Sequence, residues 1–273
     1  MNGEARLAAE PWVRPPRVRF GHLWVDALSF DGALAAIERL VDRRAGGVVF
    51  TPNVDHVVVA DGDPRFREAY RRADVSLCDG QPLRWASGMM GLRLPAKVSG
   101  SDLFLPLMRL AARRGYRVFL FGGAPGVAEA AAEKLRREEG VLVVGTASPR
   151  IGLAPEPGED AEVERVAAAR PDLLLVCLGG VKAEIWIDRV RDRIRPAVAL
   201  GIGASLDFYV GRLARAPRWM QRAGLEWLYR LLQEPRRLAR RYLVQDPKFL
   251  LILLRTWRAP RAERVLPAAA EGG

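Results

Sequence analysis

Residues 117–135 read RVFLFGGAPGVAEAAAEKL. An apolar run, Arg117 to Phe121, meets the pair Gly122-Gly123, and Pro125 then opens an Ala/Glu/Lys stretch with helical spacing to about Glu139. The run is strand-length and rich in branched and aromatic residues, whereas the stretch behind it is built of helix formers. Strand, glycine pair and helix together are the unit of a parallel α/β sheet. The unit recurs downstream. Val141 to Val144 predicts a strand, followed by a proline-rich loop from Ser148 to Gly158 and a helix from Ala161 to Arg170. Leu173 to Leu178 ends in Gly179-Gly180 before a helix from Ala183 to Arg191, and Ala197 to Leu200 ends in Gly201-Ile202-Gly203. Upstream, Val18 to Trp24 alternates as a short strand, and Asp31 to Val41 has helical spacing with Asp31 as its N-cap. Val48 to Phe50 predicts a buried strand running into Thr51–Asp55, Pro64 to Arg72 a helix, Val75 to Cys78 a strand ending at Asp79-Gly80, and Leu103 to Arg114 a helix. The expected fold class is α/β, a mostly parallel sheet with helices on both faces.

The charge is not spread evenly. The chain has 273 residues with 43 Lys/Arg and 32 Asp/Glu, a net +11. Gly211 to Arg258 holds 12 of the basic and 3 of the acidic residues, so it carries +9 and leaves the rest at +2. Such a segment meets an anion: a membrane surface, a nucleic acid or a diphosphate. Arg236/Arg240 and Arg237/Arg241 are spaced i,i+4, where like charges repel unless an anion lies between them. The interleaved Trp219, Trp227, Tyr229, Tyr242, Phe249 and Trp257 suit a headgroup layer. They would also stack on single-stranded nucleic acid, but no nucleic-acid-binding motif accompanies them, and none is expected as a partner. The composition divides the chain into a disordered tail over 1–17, a core over 18–210, the basic appendage over 211–258 and a second disordered tail over 259–273. No apolar run approaches the ~20 residues of a spanning helix; Phe249 to Leu254 either lies on a membrane or packs inward. Cys78 and Cys177 read as buried free thiols, and two histidines without paired cysteines point away from zinc. No metal site or cofactor is expected.

In an open α/β sheet, ligands bind outside the carboxyl ends of the strands. The residues falling there are Thr51, Asn53, Asp79, Gly122, Gly123, Gly179, Gly203 and Asp207. Glycine lets backbone approach a phosphate, although glycine pairs also close turns for structural reasons alone. Asp79, at the tip of an apolar strand, suits a desolvated general base; the Asp-Gly pair equally suits a turn. Thr51 and Asn53 either hydrogen-bond a sugar or cap the next helix. His56, inside HVVVA, reads as a satisfied core histidine. No D-x-D cluster of the kind that holds a metal-bound diphosphate is recognised, so phosphate charge falls to arginine.

Taken as a set, T-x-N-x-D at Thr51–Asp55, D-G at Asp79–Gly80, V-S-G-S-D at Val98–Asp102, FLFGGAPGVAEAAAEKL, PDLLLVCLGG, G-x-G-x-x-x-D-F and RAPRWMQRAGLEWLYRLLQEPRRLARRYL resemble the WecG/TagA/CpsF glycosyltransferases over about residues 18–245. The resemblance implies a Rossmann-like α/β core with a C-terminal helical appendage, and an inverting, metal-independent enzyme. It would move a sugar of the N-acetylmannosamine type, or a related hexose, from a UDP-sugar to a polyprenyl-diphosphate-linked sugar. The expected place is the inner face of the cytoplasmic membrane, in teichoic acid, common antigen or exopolysaccharide synthesis. It implies Asp79 as base, Thr51 and Asn53 in the pocket, and Arg230, Arg237 and Arg240 at the leaving diphosphate. Lys97, Ser101, Asp102, Lys182 and Glu184 join the glycines and Asp207 as substrate-binding residues. An anionic membrane surface is the expected partner of the appendage, and a homo-oligomer is compatible with the pattern. Two positions depart from it: Lys97 stands where arginine is common, and Ala183 where a glutamine is. The alternative is a transfer-impaired module of the same fold that docks on membrane or nucleic acid.

Overall fold

The computed structural model describes residues 13–270. Its first half runs β1 (Val13–Arg14), β2 (Arg17–Phe20), β3 (Leu23–Asp26), α1 (Phe30–Asp42), β4 (Gly47–Phe50), α2 (Val54–Gly62), α3 (Pro64–Arg71), β5 (Val75–Ser76), α4 (Gln81–Met89) and α5 (Gly100–Arg114). Then come β6 (Arg117–Gly122), α6 (Val127–Glu139), β7 (Leu142–Ala147), α7 (Glu159–Ala169), β8 (Leu173–Cys177), α8 (Lys182–Val190), β9 (Val198–Gly201) and α9 (Ser205–Tyr209). The appendage is α10 (Arg218–Arg222), α11 (Glu226–Gln233), α12 (Pro235–Arg240), a π-helical turn (Arg241–Gln245), α13 (Lys248–Arg258) and α14 (Arg261–Arg264). Two short strands, β10 (Val265–Leu266) and β11 (Ala269–Ala270), follow.

Six strands form one sheet in the order β5-β4-β9-β8-β6-β7, every pair parallel. Alternation along each strand feeds two cores. Val48, Phe50, Phe119, Phe121, Leu174 and Val176 join α2, α3, α4, α7 and α8 on one face. Val49, Val118, Leu120, Leu173, Leu175 and Leu200 join α1, α5, α6 and α9 on the other. On the first face Trp186 is fully buried and stacks on Phe121 with ring centroids 4.2 Å apart, a contact worth ~0.5–1.5 kcal/mol beyond its buried area. The chain leaves β4 and β8 toward the first face and β9 and β6 toward the second. At those adjacent pairs the departing loops diverge and open a crevice along the carboxyl edge.

Val18–Trp24, expected as one strand, turns back at Gly21-His22 as the antiparallel β2–β3 hairpin, and α2 and α4 were not expected. Two other signals shift in detail. The N-cap of α1 is Ser29, whose side chain accepts from the Gly32 amide, while Asp31 lies in the first turn, where its charge suits the helix dipole. Pro125 precedes α6 by two residues, and Gly126 stands at its N-cap.

The tails differ from expectation. Residues 1–12 and 271–273 lie outside the described residues. Val13–Arg14 pairs with Ala269–Ala270, and Val265–Leu266 pairs with β2, so residues 13–17 and 261–270 belong to the fold rather than to disordered tails. Proline and arginine mask these two-residue strands, which tertiary pairing creates. Nor is residue 244–258 purely a surface extension. Phe249, Ile252, Leu253 and Thr256 of α13 are buried against the β2–β3 hairpin and α2. The Gly21 amide donates to Thr256 Oγ1 at 2.9 Å, and a β-carbon at Gly21 would come within 2.7 Å of Ile252. Leu250, Leu251 and Leu254, by contrast, face outward.

Gly122 shows how tightly the carboxyl edge is built. Its φ is +93°, and a β-carbon there would lie 2.5 Å from the Cys177 carbonyl oxygen. Gly140, φ +67° after α6, has open space around it. Gly122→Ala is expected to cost about 2 kcal/mol or more and Gly140→Ala about 1 kcal/mol, measured by urea unfolding. Equal costs would mean that backbone conformation alone, not close strand approach, selects glycine at 122.

Candidate active site

A cavity of about 870 Å³ occupies the carboxyl edge, within the range of small-ligand sites. Its floor is the loops after β4, β5, β6, β8 and β9, and its roof comes from α11, the π-helical turn and the start of α13. Of the residues singled out in the sequence, Thr51, Asn53, Asp79, Lys97, Ser101, Gly123, Gly179, Lys182, Glu184, Gly203, Asp207 and Arg230 line it.

Three do not come to the lining as described. Gly122 lies beneath it, where the close approach to Cys177 requires glycine. Asp102 sits behind it, as part of the cap of α5: Ser99 Oγ accepts from the Asp102 amide at 3.1 Å and donates to its carboxylate at 2.7 Å. Arg240 is exposed on α12 and away from the cavity. The side chain of Arg237 lies outside the described residues. The π-helical turn begins directly after α12, and it is Arg241, not Arg240, that reaches the cavity, pairing with Asp55 at 3.3 Å. The i,i+4 Arg237/Arg241 pair expected on one helix is therefore split between an α-helix and a wider turn. Arg212, Glu226, Trp227 and Tyr242 also line the cavity. Their signal in the sequence, charge and aromatics in the appendage, marks the segment without marking the residues.

Asp79 lies directly beyond β5. Its amide donates to the Pro52 carbonyl at 2.9 Å, which ties the strand tips of β4 and β5 together. Gly80 follows with φ +119°, a conformation for glycine, so the turn reading of Asp-Gly is correct for the backbone. The carboxyl itself keeps some surface toward the cavity, yet burial is the strongest influence on it and pushes its pKa up to about 7. Lys97 opposes that rise, Glu226 and Asp102 add to it, and Arg230 opposes it.

Around it stands an ionic cluster shared between core and appendage. Lys97 Nζ is 2.8 Å from Asp102 and 3.7 Å from Glu226; Arg215 is 2.5 Å from Asp102 and 3.8 Å from Glu226. Burial disfavours the charge on Asp102, but Lys97 and Arg215 more than offset it and hold that carboxyl below its usual range. Burial likewise works against Lys97, and its acidic neighbours keep its pKa raised.

Thr51 is buried with Oγ1 at 3.5 Å from the Gly201 carbonyl, and Asn53 caps α2, its Oδ1 accepting from the His56 amide at 3.2 Å. The cap reading of Asn53 is thus realised, with the residue still on the cavity wall. His56 is buried as expected, bonded to the Tyr70 hydroxyl at 2.7 Å, and burial drops its pKa to about 3, so it stays neutral. Asp207 accepts from Arg212 at 2.7 Å, and Ser101 contacts Ser205 at 3.2 Å. Gly179 and Gly180 have open space where a β-carbon would be, in front of the N-terminus of α8; backbone N–H groups there suit an anion. The Asp61-Gly62-Asp63 triplet lies elsewhere: Asp61 pairs with Arg255, and Asp63 caps α3. Among the described residues no helix is long and apolar enough to cross a membrane.

Fold and site together define a Rossmann-like α/β protein whose strand-edge ligand cleft is roofed by a basic C-terminal appendage. The chain belongs to the glycosyl transferase WecG/TagA/CpsF family, whose model matches residues 18–263. It is similar to the N-acetylglucosaminyldiphosphoundecaprenol N-acetyl-beta-D-mannosaminyltransferase of Bacillus spizizenii, 32% identical over 220 residues that cover 80% of this chain and 83% of that protein. It is also similar to the Bacillus subtilis protein of the same name, 29% identical over 216 residues, 79% of this chain and 82% of that one.

The cleft makes stability fall as pH rises. The pKa of Asp79 is lifted from 3.8 to about 7 and that of Glu184, also chiefly by burial, from 4.5 to about 7. Between those values the folded protein binds more protons than the unfolded chain, so stability is lost as pH climbs from about 4 to about 7. Asp79→Asn and Glu184→Gln are each expected to match wild type near pH 4 and to raise Tm above pH 7, on the order of 2–4 °C. Thermal scans at both pH values check this; an advantage independent of pH would contradict it.

Proposed function

We propose that this chain is an inverting, metal-independent glycosyltransferase. It would move a sugar of the N-acetylmannosamine type, or a related hexose, from a UDP-sugar to a polyprenyl-diphosphate-linked sugar in cell-surface polysaccharide synthesis. The names of its relatives supply the sugar and the lipid-linked acceptor. The observation that carries the reading is Asp79, a carboxyl with a pKa near neutrality at the cavity floor with arginines overhead.

In this reading the acceptor hydroxyl loses its proton to Asp79 as its oxygen bonds to the anomeric carbon from the face opposite the diphosphate. The bond from that carbon to the diphosphate oxygen breaks, inverting the centre, and UDP departs with the electron pair. A base with a pKa near 7 is about half ionised at neutral pH and still strong enough to take the proton. Arg230 and Arg241 on the roof, Arg212 at the rim and the open Gly179-Gly180 backbone meet the charge developing on UDP. Arg230 lies over the Phe208 ring at 5.8 Å, which fixes its height above the floor. Arginine takes the part a metal plays in other transferases.

Transfer to a lipid-linked acceptor sets the enzyme at the inner face of the cytoplasmic membrane. Leu250, Leu251, Leu254 and Trp257 of α13, with Leu243 and Val244, present exposed apolar groups beside Lys248 and Arg258. That pairing suits an anionic bilayer, each basic residue contributing ~1 kcal/mol near the surface.

Asp79→Asn is expected to keep UDP affinity within about twofold and lose at least ~100-fold in kcat, read by mass spectrometry with UDP-N-acetylmannosamine and a polyprenyl-diphosphate-N-acetylglucosamine analogue. Turnover near wild type would remove Asp79 as base, and wild-type inactivity with a correct acceptor would favour a docking module. Leu251→Glu combined with Leu254→Glu, two exposed positions outside the cavity lining, is expected to abolish co-sedimentation with anionic vesicles while leaving UDP affinity unchanged. Retained vesicle binding would place the membrane contact elsewhere.

A further inference from the structure

Glu184 is the third residue of α8, 3% exposed, and lies on the cavity floor. Its Oε2 carries no hydrogen bond among the described residues. Its Oε1 is 4.0 Å from His56 Nδ1, outside hydrogen-bond range, and that nitrogen is engaged with Tyr70. A buried carboxyl oxygen without a partner costs free energy and is retained where something else satisfies it. Room for it is provided deliberately: a β-carbon at Gly201, the last residue of β9, would stand 3.2 Å from Glu184 Oε1.

We propose that Glu184 is a specificity-determining residue that binds a hydroxyl or acetamido group of the sugar being transferred. This rests on reading the cavity as a nucleotide-sugar site. The surroundings argue for a neutral ligand group at this point. Asp55 lies near enough to raise the proton affinity of Glu184, and Asp55 itself already occupies Arg241. A phosphate placed here would face the carboxyl groups of Glu184 and Asp55, whereas the glycine edge and Arg230 offer it donors. With a pKa near 7 the Glu184 carboxyl both donates and accepts, which matches a hydroxyl or an amide.

Two neutral parts of a nucleotide sugar offer such groups, the sugar and the imide of the base. The position of Glu184 selects the sugar. Its carboxyl sits over Gly201, whose carbonyl is 3.5 Å from Thr51 Oγ1, and the next residue, Pro52, accepts the Asp79 amide. Glu184 therefore adjoins the strand tips that carry the proposed base, where the anomeric carbon has to lie. The nucleobase, separated from that carbon by two phosphates, belongs farther along the crevice.

The test is calorimetric titration of wild type and Glu184→Leu with UDP and with UDP-N-acetylmannosamine, with Glu184→Ala as the second variant should the leucine protein fail to fold. UDP affinity is expected to stay within about twofold and nucleotide-sugar affinity to fall about tenfold or more, the loss of a hydrogen bond to a carboxyl group. An equal loss for both ligands would assign Glu184 to the UDP moiety or to the fold, and no loss for either would leave it without a ligand role; each result overturns the inference. Failure of wild type to bind UDP at all is a different result, and it overturns the nucleotide reading on which the inference rests.

Discussion

Everything about this site depends on one ionic cluster, Lys97 and Asp102 from the core with Arg215 and Glu226 from the appendage. Partly exposed ion pairs of this kind contribute little to stability individually. Their effect here is geometric. Asp102 is held at the capped start of α5, so Arg215 is anchored to the core before α11 begins, and Glu226, the first residue of α11, meets Lys97. Those two contacts bring Trp227 and Arg230, one turn along the same helix, over the cavity. A lysine at 97 serves this arrangement because a point charge bridges two carboxylates without the fixed fork of a guanidinium.

The cavity that results is polar at both ends in different ways. Where the loops after β6 and β8 meet, open glycines and a helix N-terminus offer N–H groups. Between the tips of β4, β5 and β9 lie Asp79 and Glu184, two carboxyls whose burial lifts each pKa to about 7. Carboxyls that stay largely protonated or half ionised at neutral pH are poor neighbours for a diphosphate but good ones for hydroxyl groups. A nucleotide sugar has the same polarity, anionic in the middle and neutral at the transferred end, and it would have one favoured direction along the crevice.

Much of this was legible in the sequence, and the residues show why the rest was not. The parallel sheet is written in repeated strand–glycine–helix units, because strands buried on both faces become continuous apolar runs. Asp79 is legible because a charged residue ending such a run has to sit at the strand edge. Asn53 carried two readings, and the structure realises the cap without removing the residue from the cavity wall. The choice between Arg240 and Arg241 was not legible. They are adjacent in the chain, and a π-helical turn decides which of them reaches the cavity. Nor were the terminal strands, since two-residue elements such as β1 and β11 have no periodicity and exist only as each other's partners. Glu184 carried a local helix signal but no sign of its unpartnered oxygen, which depends on Gly201 of the neighbouring strand.

The influences on Asp79 come in an order that says what the appendage is for. Burial ranks first, Lys97 second, then Glu226, Asp102 and Arg230, and of these Glu226 and Arg230 act with opposite sign from the same short helix. Since α11 contributes one charge of each kind, its direct electrostatic effect on the base is partly self-cancelling. Its larger contribution is cover: Trp227 of α11, with Tyr242 of the π-helical turn, lines the roof of the cavity above the carboxyl. Cover strengthens the base by making its ionised form harder to hold, and it strengthens the pull of Arg230 and Arg241 on a departing diphosphate, because both operate in the same lowered dielectric. A helix that brought only arginines would depress the pKa of the base it covers. Glu226 offsets that depression while it ties the helix to Lys97, so one side chain serves both the position of the roof and the proton affinity of the floor.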